Sequence, residues 1–251
     1  MIDIHSHILP LVDDGSSSIE MSLDMLESAY RDGTDAIVLT PHFALDYGFD
    51  NPYDKIKGLF KDLKEIVEYE NIPIDVYLGC EFLFSSLETF YVFKEEITTL
   101  NNTQYILIEF YFDIEEEKIL QAVDVVLENN LIPIIAHPER FECFQTSSTL
   151  ADEVIKKGAL LQMNKGSILG RYGRTAKETV LDLLDKHYIS FVGSDAHHPQ
   201  RRSSLMYDAY EYVREYYGKE YTETIFKDNP KKMLENIDIR KKGNHETKER
   251  S

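Results

Sequence analysis

Seven short apolar runs recur along this 251-residue chain, and each is followed at once by polar residues able to hold a proton or a cation. The runs are Ile2–Ile4, Ala36–Thr40, Ile74–Gly79, Tyr105–Ile108, Ile132–Ala136, Ala159–Met163 and Ile189–Gly193. Runs this short, bounded by turn residues, read as strands. Between most of them lie stretches with helical spacing: Ser17–Arg31, Asp54–Tyr69, Glu115–Asn129, Thr149–Lys157 and Ala176–His187. Ser17-x-x-Glu20 reads as a capping box for the first helix, and Gly33 as its stop. The alternation predicts an α/β fold with parallel strands buried on both faces. No repeat or Pro/Gly linker divides the chain, so residues 1–240 read as one domain. The polar end "KKGNHETKERS", 241–251, reads as a disordered tail.

The residues just past the runs decide between a barrel and an open sheet. In order they are His5 and His7, His42, Glu81, Glu109, His137, Asn164 with Lys165, and Asp195 with His197. Six of the eight histidines fall at such ends or directly beyond them, His187 and His245 being the exceptions. An open sheet would string seven ends along about 30 Å, at roughly 4.8 Å per strand. A barrel gathers them into one ring, the end where barrel enzymes place their chemistry. The expected fold is therefore a TIM-like (β/α)7 barrel.

Imidazole and carboxylate without a thiolate pattern suit manganese, zinc or iron in a catalytic rather than a structural site. Nine residues qualify as ligands: His5, His7, Asp14, His42, Glu81, Glu109, His137, Asp195 and His197. One ion takes about four to six ligands, so nine imply two or three divalent ions sharing carboxylates. Ions about 3.5–4 Å apart can clamp a phosphoryl group, which points to a hydrolase. Arg140 follows His137, and Arg201 and Arg202 follow His197; guanidinium forks match phosphate oxygens. Cys80 adjoins Glu81, but alternation along a strand turns it to the opposite face, as a core thiol. Neither Cys80 nor Cys143 has an arginine six residues on, so a cysteine phosphatase is excluded, and "NKGS" at Asn164–Ser167 lacks the order of a phosphate-binding P-loop. A net charge of −18 opposes nucleic acid and anionic membranes as partners. No run of eighteen or more apolar residues and no secretory signal pattern occur, and two cysteines fit a reducing compartment, so a cytoplasmic location is expected.

"DIHSH", "DDG", "TPH", "GCE", "HPER" and "GSDAH", in this order between Met1 and Ile237, resemble the PHP (polymerase and histidinol phosphatase) superfamily. Within it the set is similar to the bacterial manganese-dependent protein-tyrosine phosphatases of capsule and exopolysaccharide operons, the CpsB/YwqE-like branch. The resemblance implies a distorted seven-stranded barrel of PHP type with a trinuclear site, manganese being the expected metal and iron or zinc the alternatives. His5 and His7 would bind one ion with Asp195, and Glu81 would bridge to a second ion served by Glu109 and His137. Asp14, His42 and His197 would hold the third; Asp14, directly before Gly15, fits the motif better than Asp13. Arg140 and Arg202 match the family's phosphate-binding arginines, with Arg201 the adjacent rival.

The implied reaction is hydrolysis of phosphotyrosine in protein, with Asp14 and His197 as the two choices of general acid. The implied substrate is a cognate bacterial tyrosine autokinase, phosphorylated on a C-terminal tyrosine cluster and controlling polysaccharide synthesis; it could hold the enzyme at the membrane. The aromatic segment "HFALDYGFDNPYD", His42–Asp54, follows the second strand and could wall the mouth against a substrate ring. The nearest rival is a histidinol-phosphate phosphatase, with the same metals and a narrower pocket. An amidohydrolase barrel wants a bridging lysine where this chain has Glu109. A non-catalytic metal-dependent kinase binder would need neither arginine region.

Overall fold

A computed structural model describes residues 1–241. The expected disordered tail, 241–251, lies outside the described residues except for Lys241. The strands and helices alternate in chain order: β1 (Ile2–Ser6), α1 (Ile19–Arg31), β2 (Ala36–Leu39), β3 (His42–Phe43), α2 (Tyr53–Tyr69), β4 (Asp75–Leu78), β5 (Glu81–Leu83), α3 (Leu87–Phe93), β6 (Tyr105–Glu109), α4 (Glu116–Glu128), β7 (Ile132–Ala136), α5 (Glu142–Thr146), α6 (Leu150–Lys157), β8 (Leu160–Asn164), α7 (Lys165–Ile168), α8 (Arg174–Asp185) and β9 (Ile189–Gly193). Three more helices close the described chain: α9 (Tyr207–Tyr217), α10 (Lys219–Glu223) and α11 (Asn229–Leu234). No described helix is long and apolar enough to cross a membrane.

All named strand pairs are parallel, in two sheets ordered β1-β2-β4 and β3-β5-β6-β7-β8-β9. The second and third expected strands are β2 and β4, and each is followed across a break by a short further strand, β3 and β5, in the other sheet. The first breaks at Thr40–Pro41, where proline has no N–H to give a ladder; the second breaks at Gly79–Cys80. Single bonds carry the path across the breaks, from Gly79 N–H to Leu39 O (2.9 Å) and from Glu81 N–H to Pro41 O (3.1 Å). At the other junction β1 meets the end of β9, where Asp195 N–H donates to His5 O and His7 N–H to Ala196 O, both at 2.8 Å. The ring is therefore a distorted barrel of seven strand positions whose ladder is not continuous.

One apolar cluster collects Ile4, Val38, Tyr105, Leu107, Ile134, Ala136, Leu160 and Phe191, and so draws on both sheets. Leu100 and Met233 join it from outside the strands. Two further clusters pack helices on the outer faces, and Cys80 lies fully buried in one of them. Burial pushes its thiol up to about 12. Cys80 is thus the core thiol that strand alternation predicts.

One local expectation is corrected. The first helix is capped by Ser18, whose side chain accepts from Met21 N–H; Ser17 is not the cap, and Ser17-x-x-Glu20 forms no capping box. The serine run "SSS" leaves that choice to the loop geometry: Ser22 Oγ donates to Ile8 O (2.6 Å) and ties the helix start to the loop after β1.

Candidate metal centre

The loop after β1 folds back on itself: Ser16 N–H donates to His7 O at 3.0 Å. A side chain at Gly15 would lie 2.1 Å from His7 O, so "DDG" needs glycine there for close approach rather than for its dihedral angles. The fold-back separates the two aspartates. Asp13 turns inward, with no exposed side-chain surface, and takes Nδ1 of His7 at 2.8 Å and the backbone N–H of His42 at 2.9 Å. Asp14 turns outward, 55% exposed, and places Oδ1 3.3 Å from His197 Nε2 and 3.5 Å from His42 Nε2.

Glu81 lies at the middle. Its Oε2 is 3.2 Å from His5 Nε2, 3.3 Å from His7 Nε2 and 3.1 Å from His42 Nδ1, while Oε1 is 2.8 Å from His137 Nε2. Glu109 Oε1 is 2.9 Å from His42 Nδ1, and its Oε2 4.0 Å from His137 Nε2. Asp195 Oδ1 stands 3.7, 3.5 and 3.5 Å from His5, His7 and His197. All nine sequence-predicted ligands are brought together. Three groups of donors among them are close enough to share an ion: His7–Asp14–His42–His197, His5–His7–Glu81 and His42–Glu81–Glu109. His7, His42 and Glu81 each belong to two groups. His137 and Asp195 adopt left-handed backbone, with φ of +33° and +51°; strain of this kind collects at functional sites.

The electrostatics fit bound cations. Burial pushes Glu81 up, yet the charges of His5 and His42 and a hydrogen bond from His137 hold its carboxyl well below the ordinary range. Burial likewise opposes ionisation of Asp195, but His5, His7 and Arg202 keep it ionised. His7 is pushed down by burial and held well above the ordinary imidazole range by the Asp13 carboxylate. The cluster thus retains positive charge as protons, which divalent ions displace when they bind. Two further observations agree. His5 Nε2 and His7 Nε2 face each other at 3.2 Å, a contact that one proton bridges and that a shared cation could replace. His42 Nδ1, Glu109 Oε1 and His197 Nε2 are buried with no hydrogen-bond partner.

The outer contacts orient this set. Asp13 and Gln162 hold His7 and His5 by their Nδ1 atoms, at 2.8 and 2.9 Å, leaving Nε2 free to ligate. Gln162 was not foreseen, although a glutamine inside the buried strand "LLQMN" is itself a signal. Glu139, also unforeseen, is buried in "HPER" and accepts from Asn164 N–H and Ser167 Oγ. Asn164 donates to Asp195 Oδ2 at 2.6 Å. Lys165 turns away from the ring and donates to Leu205 O.

A cavity of about 350 Å³ opens above the donors, and Arg140 and Arg202 line it. Arg202 lies 2.6 Å from Asp195 Oδ1 and Arg140 3.4 Å from Asp195 Oδ2. Arg201 is exposed, and the contact recorded for it is its carbonyl accepting from Arg171 at 3.5 Å. Tyr47, Phe49 and Phe112 complete the walls, and Phe49 stacks on His42 with ring centres 5.5 Å apart.

Known proteins are similar to this chain along most of its length. The family described as capsular polysaccharide synthesis, CpsB/CapC, matches residues 1–235. Tyrosine-protein phosphatase CpsB of Streptococcus pneumoniae is 31% identical over 239 residues, covering 93% of this chain and 98% of that protein. Tyrosine-protein phosphatase YwqE of Bacillus subtilis is 34% identical over 221 residues, covering 88% and 86%. A crystal structure from work on those two proteins, described as unique metal-dependent tyrosine phosphatases, superposes with a TM-score of 0.87 at 32% identity, covering 94% of this chain and 95% of that one. The chain belongs to the CpsB/CapC family of capsular polysaccharide synthesis.

Proposed function

We propose that this protein is a metal-dependent protein-tyrosine phosphatase, a single domain over residues 1–240, acting in the cytoplasm on a bacterial tyrosine autokinase of capsule or exopolysaccharide synthesis. The observation that carries the reading is the cavity itself: three overlapping donor groups on its floor and two guanidinium groups on its wall. The relatives named as tyrosine phosphatases support the substrate class.

His5, His7, Asp14, His42, Glu81, Glu109, His137, Asp195 and His197 would hold the ions. Two or three divalent ions there, manganese the expected choice, would supply Lewis-acid charge and acidify the attacking water. Arg140 and Arg202 grip the phosphoryl oxygens through planar forks. Tyr47, Phe49 and Phe112 give the substrate ring an apolar slot. The leaving phenolate, with a pKa of about 10, needs less protonation than an alkoxide. Asp14 and His197, the two choices of general acid, stand 3.3 Å apart within one donor group at the cavity.

The test is hydrolysis of a phosphotyrosine peptide, a phosphoserine peptide and histidinol phosphate, with Mn²⁺ and with chelator, by wild type and His5→Ala. Metal-dependent turnover of phosphotyrosine, lost in the variant, is expected. Preference for histidinol phosphate would overturn the substrate and keep the metals. No turnover with any metal would overturn the activity.

A further inference from the structure

The segment Gly166–Arg174, "GSILGRYGR", contributes no donor to the metal groups, yet it crosses behind both cavity arginines. Its Tyr172 stands between them. The guanidinium carbon of Arg140 lies 4.7 Å from the ring centre of Tyr172 and 4.7 Å from that of Phe112. Phe112 is braced in turn by the buried Phe141, at 6.2 Å between ring centres. Tyr172 has a built seat: a Cβ at Gly166 would fall 2.7 Å from its Cε2, so only glycine lets the ring lie there. The same segment also reaches the residue before the second arginine, where the Arg171 side chain donates from Nη1 to Arg201 O at 3.5 Å. Arg140 and Arg202 approach opposite oxygens of one carboxylate, Asp195, and so carry like charges into one small space. Side chains as long as arginine do not hold such a geometry unaided; each must give up rotamer freedom to do so.

We propose that Tyr172 is a positioning residue that holds Arg140 flat against its ring and keeps the Arg140–Arg202 pair aimed into the cavity as a phosphate clamp. The proposal rests on the phosphatase reading above. Tyr172 acts through the arginines; it is they that line the cavity. Its ring supplies a negative face to Arg140. Its hydroxyl is pushed up by burial and by Asp195 against the opposing charge of Arg202, and so stays protonated beside that guanidinium at neutral pH.

The experiment uses the metal-loaded enzyme and inorganic phosphate as the probe, with binding read by calorimetry and turnover read separately. Tyr172→Leu is expected to raise the phosphate Kd about tenfold, the upper part of the range for a desolvated cation–π contact. Tyr172→Phe keeps the ring and is expected to stay within about twofold of wild type. In an Arg140→Ala background the leucine change is expected to add less than about twofold, because the group it positions is gone. Tyr172→Met fills the seat without a π face and replaces the leucine variant should that one melt early. A phosphate Kd unchanged in a folded leucine or methionine variant overturns the proposal. So does an equal loss in the phenylalanine variant, or full additivity with Arg140→Ala. Wild-type protein that binds phosphate without hydrolysing phosphotyrosine overturns the phosphatase reading and leaves the clamp standing. Wild type that binds no phosphate overturns both.

Discussion

Where the strands finish, His42 Nδ1, Glu109 Oε1 and His197 Nε2 are buried without hydrogen-bond partners. Where they begin, the Met1 ammonium donates to Gly33 O and Asp35 at 2.8 Å, and the Tyr105 hydroxyl donates to Ile237 O and accepts from Ile239 N–H. The starting end also holds the apolar residues Leu100 and Met233, joined to the cluster inside the ring. The same seven strand positions thus serve two purposes. One end of the ring stabilises the fold through the hydrogen-bonded Met1 and Tyr105 groups and packed carbon, with Thr34 Oγ1 buried there without a partner. The other keeps strained backbone and crowded charge that become favourable only around cations, the usual division in a barrel.

The comparison is broken or sharpened by substitutions at each end. The largest effect is expected from His5→Ala at the finishing end: a loss of turnover on the order of 10³-fold, about 4 kcal/mol of transition-state stabilisation, with the melting temperature nearly unchanged. Turnover within tenfold of wild type would break the comparison. Next comes Leu107→Ala inside the ring, where the residue is fully buried. It is expected to cost about 3 kcal/mol in urea unfolding while the folded enzyme keeps its kcat. A large fall in kcat would mean that the ends are not separable.

A smaller effect tests the layer behind the donors. Asp13→Asn is expected to weaken metal affinity about 10- to 100-fold, read by metal titration, because the amide no longer holds the His7 ring with charge. The smallest effect concerns pH. Cys80, raised to about 12 in the fold, ionises more readily once unfolded. The folded state therefore binds the extra proton above about pH 9, and stability attributable to Cys80 falls as pH rises from there. Cys80→Ser should remove that slope, and thiol labelling at pH 8 should leave Cys80 unmodified until the protein unfolds.

Eight of the nine donors were legible because each stands within a few residues of the end of an apolar run, so one-dimensional order maps onto a ring; Asp14 lies further on, in the loop after β1. The choice of Asp14 over Asp13 as the outward acid came from motif resemblance, and in the fold it follows from the fold-back at Gly15. That Asp13 clamps His7 was not legible, since two adjacent acids look alike until the loop is closed. Arg201 and Arg202 were inseparable for the same reason; only the path after β9 turns one side chain into the cavity and the other out. The short strands β3 and β5 escaped notice because they are two and three residues long and begin at His42 and Glu81, polar residues that mark the ends of the apolar runs. Tyr172 escaped for a different reason: it sits between elements, and its role depends on a glycine six residues earlier.

The seam between β1 and the residues after β9 carries a consequence for the order of events in the cell. β2 covers one edge of the first strand, but the other edge waits for Asp195, whose N–H closes on His5 O about 190 residues later. The His5–His7–Glu81 group spans a long early segment, and His197 joins His7 only at the far end. Two of the three donor groups are complete in sequence by Glu109, whereas the third must wait for His197. Contacts this distant in sequence form late and slowly. The donor group that includes His197, and the cavity wall that includes Arg202, are assembled only when the far end of the barrel has closed on its first strand.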